Sequence, residues 1–275
     1  MKILSTVMAV VAMSLLAQAQ TSNVVYSPNV VGFVKLTVPG TNTISMVAVP
    51  FEASNSRGYY TLDEVLGTNF TAHSTDGVDC DEVWMWNSAA NRFEQAFLND
   101  GEWYEPTIDW KWCYTGGDGH PLPCAGTNLF NITPTSGFFI NNQHGDRTVF
   151  ISGMVPTNSV TTVDLTGLQL TAYPYPVAQS LATMLGTNDG ARADSRQSPV
   201  SDEIWIYNAT THNYDQYFLN DGEWGDPTID WKWCSSGADG TPVAATNTMQ
   251  PGMSFFYNAK GAGFDWNVVR PYPLN

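Results

Sequence analysis

FLNDGEW stands at residues 97–103 and again at residues 218–224. YEPTIDWKWC follows the first occurrence and GDPTIDWKWC the second. So long a polar and aromatic phrase, kept twice at a separation of nearly half the chain, raises the question whether the whole chain is doubled. Its surroundings answer yes. LGTN at residues 66–69 recurs at 185–188, and DEVWMWN from Asp81 returns as DEIWIYN from Asp202. Ser136-Gly137-Phe138-Phe139 has a partner in Met253-Ser254-Phe255-Phe256, and Asn141 matches Asn258. Val30-Val31-Gly32 reads as the counterpart of Ile151-Ser152-Gly153. Solenoid repeats have periods of roughly 20–50 residues, so this is tandem duplication of a whole domain. The alignment divides the chain into an N-terminal segment (residues 1–19), copy 1 (20–149) and copy 2 (150–275).

Each copy reads as β structure. VVGFVKLTV from Val30 and TISMVAVPF, which closes on Pro50-Phe51, are rich in β-branched residues. EVWMWNSAANRFEQAF reads as a hairpin around an Asn-containing turn, and EIWIYNATTHNYDQYF repeats it. Within the first strand Val83 and Met85 alternate with Trp84 and Trp86, so one face is aromatic. TLDEVLG from Thr61 carries a helix signal: a Thr cap, an acidic first turn and a terminal Gly. The expected fold is mainly β, two homologous small β-sandwich or barrel-like domains in tandem with a short helix in each.

The first residues, MKILSTVMAVVAMSLLAQA, have Lys2, an apolar run to Leu16 and a small-x-small site at Ala17-Gln18-Ala19. That pattern predicts a secretory signal peptide cleaved before Gln20, and so a secreted or cell-surface address. No later stretch is apolar for long enough to predict a membrane helix. The chain carries 11 Lys+Arg against 26 Asp+Glu, a formal charge of −15. A phosphate backbone is repelled by that field, which argues against nucleic acid as a partner. The 10 Trp, 12 Tyr and 13 Phe offer too much apolar area for a disordered chain.

The order of blocks resembles a group of uncharacterised secreted tandem-repeat β proteins of planctomycete- and verrucomicrobium-type bacteria. The resemblance is carried by NVVGFVKLTVP at residues 29–39, VAVPF at 47–51, TLDEVL at 61–66 and VWMWN at 83–87. It continues in DGEW at residues 100–103 and PTSGFFIN at 134–141. It implies export and a duplicated β unit, and brings no activity with it.

Export permits disulfides among the four cysteines. Cys113 and Cys234 are repeat equivalents, whereas Cys80 and Cys124 are both missing from copy 2. Two cysteines absent together pair most simply, so a Cys80–Cys124 bond is expected, with Cys113–Cys124 as its rival. Cys113 and Cys234 remain for a bond between domains, a bond between chains, or burial as thiols.

The repeated phrase also supplies the candidate binding residues: Asp100, Glu102, Trp103, Asp109, Trp110 and Trp112, with Asp221, Glu223, Trp224, Asp230, Trp231 and Trp233. Indole faces cover the apolar faces of sugar rings and carboxylates take their hydroxyls, which is one reading. In the other reading the phrase is structural, Trp110 and Trp112 fill one core face, and Asp109 and Lys111 point to water. Glycoside hydrolysis needs a carboxylate pair at a set separation, and nothing in the sequence imposes one on Glu102 and Asp109. The four histidines have no ligand spacing. Calcium is the one cofactor the pattern admits, at Asp76, Asp79 and Asp81. The leading reading is an exported noncatalytic structural or surface-associated protein whose partners are itself or other surface proteins, joined through edge strands. The alternative is a tandem carbohydrate-binding module on an extracellular glycan.

Overall fold

The computed structural model describes residues 31–273, apart from 41, 42 and 78. The expected signal peptide and the segment to residue 30 lie outside the described residues. Copy 1 contributes β1 (Val31–Val38), β2 (Thr43–Ala48), helix α1 (Leu62–Leu66), β3 (Glu82–Asn87), β4 (Arg92–Leu98), β5 (Trp112–Thr115), β6 (Pro121–Pro123), β7 (Gly137–Asn142) and β8 (Arg147–Met154). Copy 2 contributes β9 (Val160–Leu165), β10 (Leu168–Ala172), β11 (Gln179–Ser180), β12 (Glu203–Asn208), β13 (Asn213–Leu219), β14 (Trp233–Ser236), β15 (Pro242–Ala244), β16 (Thr248–Met249), β17 (Ser254–Asn258) and β18 (Phe264–Val269).

The two halves are similarly organised all-β domains in tandem. Each has an open six-stranded sheet, ordered β2-β7-β3-β4-β5-β6 in copy 1 and β10-β17-β12-β13-β14-β15 in copy 2. Each also has a separate two-stranded ribbon, β1–β8 or β9–β18. Both sheets end in free edges, so the barrel alternative does not hold. The core of copy 1 lies between ribbon, sheet and helix: Val38, Val149 and Ile151 meet Val83, Met85, Phe138, Ile140, Leu62 and Leu66. In copy 2, Val163, Leu165, Trp266 and Val268 meet Ile204, Ile206, Phe255 and Tyr257.

The expectation of a helix in each domain is corrected: among the described residues there is one α-helix, α1. Its N-terminus is closed by a capping box in which Thr61 accepts from the Glu64 amide and Glu64 accepts from the Thr61 amide. The equivalent segment, Ser180 to Gly186, has Ala182 for Asp63 and Thr183 for Glu64. Ser180 makes no side-chain cap there, and only a 3-10 turn forms at Leu181–Thr183.

The matching of Val30-Val31-Gly32 to Ile151-Ser152-Gly153 is also corrected. Those segments are not repeat equivalents. Val31 and Gly32 lie in β1 and Ile151 to Gly153 in β8, which pair with Gly32 opposite Gly153. Both glycines make room for the Phe51 side chain, and Gly153 also for the Tyr60 hydroxyl. A Cβ on Gly32 would lie 2.5 Å from Phe51 Cε1, and one on Gly153 would lie 2.7 Å from Phe51 Cβ. The ribbon equivalent to β1–β8 is β9–β18.

The aromatic sheet faces meet each other. Trp84, Trp86, Phe93 and Phe139 of copy 1 correspond to Trp205, Tyr207, Tyr214 and Phe256 of copy 2. Trp86 packs on Phe256 with centroids 5.6 Å apart, and its equivalent Tyr207 packs on Phe139 at 6.3 Å. Phe139 and Phe256 touch each other at 6.0 Å. The seam therefore has approximate two-fold symmetry, as in an isologous dimer fused into one chain. Trp86 Nε1 donates to the Leu168 carbonyl at 2.7 Å, so its polar atom is satisfied within the seam. Among the described residues no helix is long and apolar enough to cross a membrane.

Candidate functional site

The repeated phrase forms a surface loop closed at its neck by an asparagine. The Asn99 amide donates to the Lys111 carbonyl at 2.9 Å and the Asn220 amide to the Lys232 carbonyl at 3.0 Å. The Asn99 and Asn220 side-chain oxygens accept from the amides of Gly101 and Gly222. Ile108 and Ile229 plug the two loops from inside, against Cys113 and Cys234 respectively. These bonds repeat in both copies, which accounts physically for much of the length of the conserved phrase.

The tryptophans separate. Trp112 and Trp233 are fully buried, with Nε1 donating to the carbonyls of Gly67 and Leu185. Trp110 and Trp231 are 54% and 59% exposed, so the expectation that Trp110 and Trp112 share a core face is corrected. The cause is the backbone: Trp110 and Trp231 have φ of 58° and 59°, in the left-handed region, which breaks the strand alternation. Their rings lie over Gly101 and Gly222, where a Cβ would come 3.0 Å and 2.8 Å from the indole nitrogen. Trp103 and Trp224 are partly exposed and act as clasps, with Nε1 donating to the Ser74 and Ser195 carbonyls at 2.8 and 2.7 Å. His120 packs against the Trp103 ring, whereas the Arg196 guanidinium stands over Trp224.

The acids serve turns. Asp100 Oδ1 accepts from the Glu102 amide and Asp221 Oδ1 from the Glu223 amide, leaving Glu102 and Glu223 exposed. Asp109 and Asp230 do not point to water with both oxygens: in each, Oδ1 is buried without a protein partner, as is Nδ2 of Asn99 and Asn220. Of the calcium candidates, Asp76 and Asp79 are exposed and Asp81 is buried. Asp81 accepts from the backbone amides of Thr71 and Gln143 at 2.8 and 2.9 Å, so it fastens two loops. Among the described residues no group of three or more His, Cys, Asp or Glu side chains is placed to hold a metal ion.

The disulfide expectation is overturned. All four cysteines are free and buried. Cys80 and Cys113 lie with Phe97 on one side of the copy 1 sheet, while Cys124 lies in the main core with Trp112. The sheet stands between the expected partners, and Cys113 and Cys234 each sit in their own copy's small cluster. Burial raises the thiols of Cys80 and Cys113 to about 12 and that of Cys234 to about 11, with that of Cys124 pushed up as well.

The sequence did not identify what the aromatic faces cover. Alternation in VWMWN marked the face, but its partner is the other copy's face, which no local pattern encodes. Comparison of the chain with protein-family models, curated proteins and solved structures gives no match.

Proposed function

We propose that this is an exported, noncatalytic structural protein that associates head to tail, the β1–β8 ribbon of one chain docking on the β9–β18 ribbon of the next. The observation that carries the proposal is the outward face of β1–β8, where Val31, Phe33 and Phe150 are 68%, 74% and 65% exposed. Lys35 stands directly opposite Phe150 and is exposed beside them. The outward face of β9–β18 is complementary. Val160 and Val269 pair at one end and are exposed, and Asp164 is paired directly with Asp265. Like charges directly opposite on a ribbon repel, and a cation from a neighbouring chain relieves that repulsion. Different patches meeting head to tail make an open chain rather than a closed dimer. The N-terminal signal pattern and the resemblance to secreted tandem-repeat proteins support a cell-surface or extracellular setting.

Size-exclusion chromatography with light scattering on the chain from Gln20 tests this. Concentration-dependent oligomers are expected, dissociating with Phe33→Ser plus Phe150→Ser and with Lys35→Glu. Adding Asp164→Lys and Asp265→Lys to Lys35→Glu restores them. A monomer throughout a wide concentration range, or oligomers indifferent to these variants, rejects the reading.

A second reading is favoured by the exposed, duplicated Trp110 and Trp231. Two weak glycan contacts on one chain combine by avidity when both engage one polymer. Loss of polysaccharide retention in Trp110→Ala plus Trp231→Ala supports it, and unchanged retention removes it.

A further inference from the structure

The copy 1 sheet splits between β4 and β5. These strands pair only at Phe97–Cys113 and Leu98–Trp112. Beyond that point they diverge, and a pocket of about 510 Å³ opens among Asp76, Phe93, Gln95, Tyr114, Thr115 and Phe130. The Tyr114 and Phe130 rings stack with centroids 6.0 Å apart and planes at 27°. The volume lies within the ~300–1,000 Å³ of small-molecule sites.

Copy 2 splits at the equivalent point, since β13 and β14 pair only at Phe218–Cys234 and Leu219–Trp233. There the chain bridges its own split with one carboxamide. Gln197 Nε2 donates to Gln216 Oε1 at 3.0 Å and to Glu203 Oε1 at 3.2 Å, and its Oε1 accepts from Ser236 Oγ at 3.2 Å. Aligned on the DEVW and DEIW blocks, Gln197 falls on Asp76, Gln216 on Gln95, Glu203 on Glu82 and Ser236 on Thr115.

Copy 1 thus retains the groups that receive the carboxamide and lacks the carboxamide itself. Asp76 offers acceptors only, and Gln95 turns its Nε2 to Glu82 instead. Copy 1 also adds an aromatic wall. Tyr114 replaces Ser235, and the 3-10 turn Asn128–Phe130 brings in a second ring. One copy has a plugged split and the other an open one with the half-buried Tyr114 ring beside it.

We propose that the copy 1 pocket binds an N-acetylated hexosamine residue of a glycan, its acetamido group taking the place that the Gln197 carboxamide holds in copy 2. The acetamido oxygen accepts from the Thr115 hydroxyl, as Gln197 Oε1 accepts from Ser236. The acetamido N–H donates to the Asp76 carboxylate or to Gln95 Oε1. The apolar face of the sugar ring covers the half-buried Tyr114 ring, which Phe130, 3% exposed, backs from the core. The ligand is neutral, so the chain's net charge of −15 does not oppose it. The inference rests on neither the ribbon contact nor the exposed Trp loops.

Isothermal titration of the chain from Gln20 with chitotriose, and with cellotriose as the analogue lacking acetamido groups, tests it. Chitotriose is expected to bind and cellotriose to bind about tenfold or more weakly, because the polar groups are then left unpaired. Asp76→Gln, which supplies the copy 2 plug, and Tyr114→Ser are each expected to weaken chitotriose about tenfold or more, with thermal unfolding recorded to confirm the fold. Trp110→Ala plus Trp231→Ala is titrated alongside, because those exposed rings carry the competing glycan reading. No chitotriose binding at millimolar concentration, or undiminished binding in both pocket variants, overturns the site. Equal affinity for cellotriose overturns the acetamido assignment. Loss confined to the double Trp variant places the glycan on the loops and overturns the pocket.

Discussion

Gly137 and Ser254 hold equivalent positions at the starts of β7 and β17, and they touch each other across the seam. A Cβ on Gly137 would lie 2.7 Å from the Ser254 Cβ and 2.9 Å from Leu170 Cγ. Nearby, the Ala48 amide donates to the Gly252 carbonyl at 2.8 Å, and Ser136 bridges to Thr171. Where two equivalent positions meet on an approximate two-fold axis, both side chains compete for one space. Two side chains do not fit at this point, and glycine in copy 1 makes the room for Ser254.

Gly137→Ser, which restores the copy 2 residue, is accordingly expected to destabilise by about 1–3 kcal/mol through overpacking. Adding Ser254→Gly should recover a large part of that loss, because the two sites share one space. Ser254→Ala alone should be close to neutral or stabilising, since Ser254 Oγ is buried without a partner. Urea denaturation of the parent, these three variants and Ser254→Gly alone measures all of this, and additive losses in the double variant would contradict the contact.

The cysteines make a second prediction. Thiolate is the reactive species, and burial holds the thiols of Cys80, Cys113 and Cys234 at about 12, 12 and 11. Native protein at pH 7.5 should therefore resist a thiol-specific reagent, and unfolded protein should titrate four thiols. The melting temperature should be the same with and without reductant. A reductant-sensitive melt would show a bond that this fold does not contain.

What the sequence made legible was whatever a short segment determines alone. The duplication, the β class and the Trp84/Trp86 face are all local patterns. The helix in copy 1 was also legible, because Thr61 and Glu64 form a complete capping box. Its absence in copy 2 is readable too, in Thr183 at the third helical position, although the LGTN that follows is shared by both copies. The cysteine pairing failed for another reason. Absence from copy 2 says nothing about which side of a sheet a side chain occupies. The alternation of Trp110 and Trp112 failed because Trp110 itself is left-handed and lies in a turn before the strand begins at Trp112.

The capping box gives a third prediction. Glu64→Thr, the copy 2 residue, should cost about 0.5–2 kcal/mol and lower helical signal. The reciprocal Thr183→Glu should stabilise copy 2 by less, because Ala182 still lacks the carboxylate that lets Asp63 accept from the Trp112 amide at 3.0 Å. Chemical denaturation with far-ultraviolet dichroism reads both.

Glu203 supplies a pH-dependent term. Burial pushes its carboxyl up, but bonds from Lys260, Gln197 and Asn258 outweigh that and hold it below its ordinary 4.5. A carboxyl depressed in the folded state stabilises the fold above its unfolded value. That contribution is lost as the pH falls from about 4.5 through the lower folded value. Lys260 Nζ lies 2.9 Å from Glu203 Oε2, and both groups are largely buried. Lys260→Met should raise the Glu203 titration midpoint by NMR and cost about 1–3 kcal/mol at pH 7. The cost should shrink as the pH falls below 4.5 and through the lower folded value, where the carboxylate is neutralised. A loss that is the same at pH 7 and below the folded titration midpoint would mean that the lysine acts through packing alone.

The exposed indoles of Trp110 and Trp231 are held by glycine rather than by a pocket. A left-handed backbone costs a bulky residue roughly 1–2 kcal/mol, and both copies accept that cost at the same place. What fixes each ring is its seat over Gly101 or Gly222, which have φ of 85° and 83° and no side chain to lift it. Gly222→Ala should therefore act twice, by straining its own backbone and by displacing the Trp231 ring from a Cβ position 2.8 Å away. The expected result is a loss of about 1 kcal/mol or more, with a shift in tryptophan fluorescence that disappears in the Trp231→Phe background. Gly101→Ala should do the same through Trp110. If instead the emission stays fixed while stability falls, the ring is held by contacts other than glycine and the loss belongs to the backbone alone.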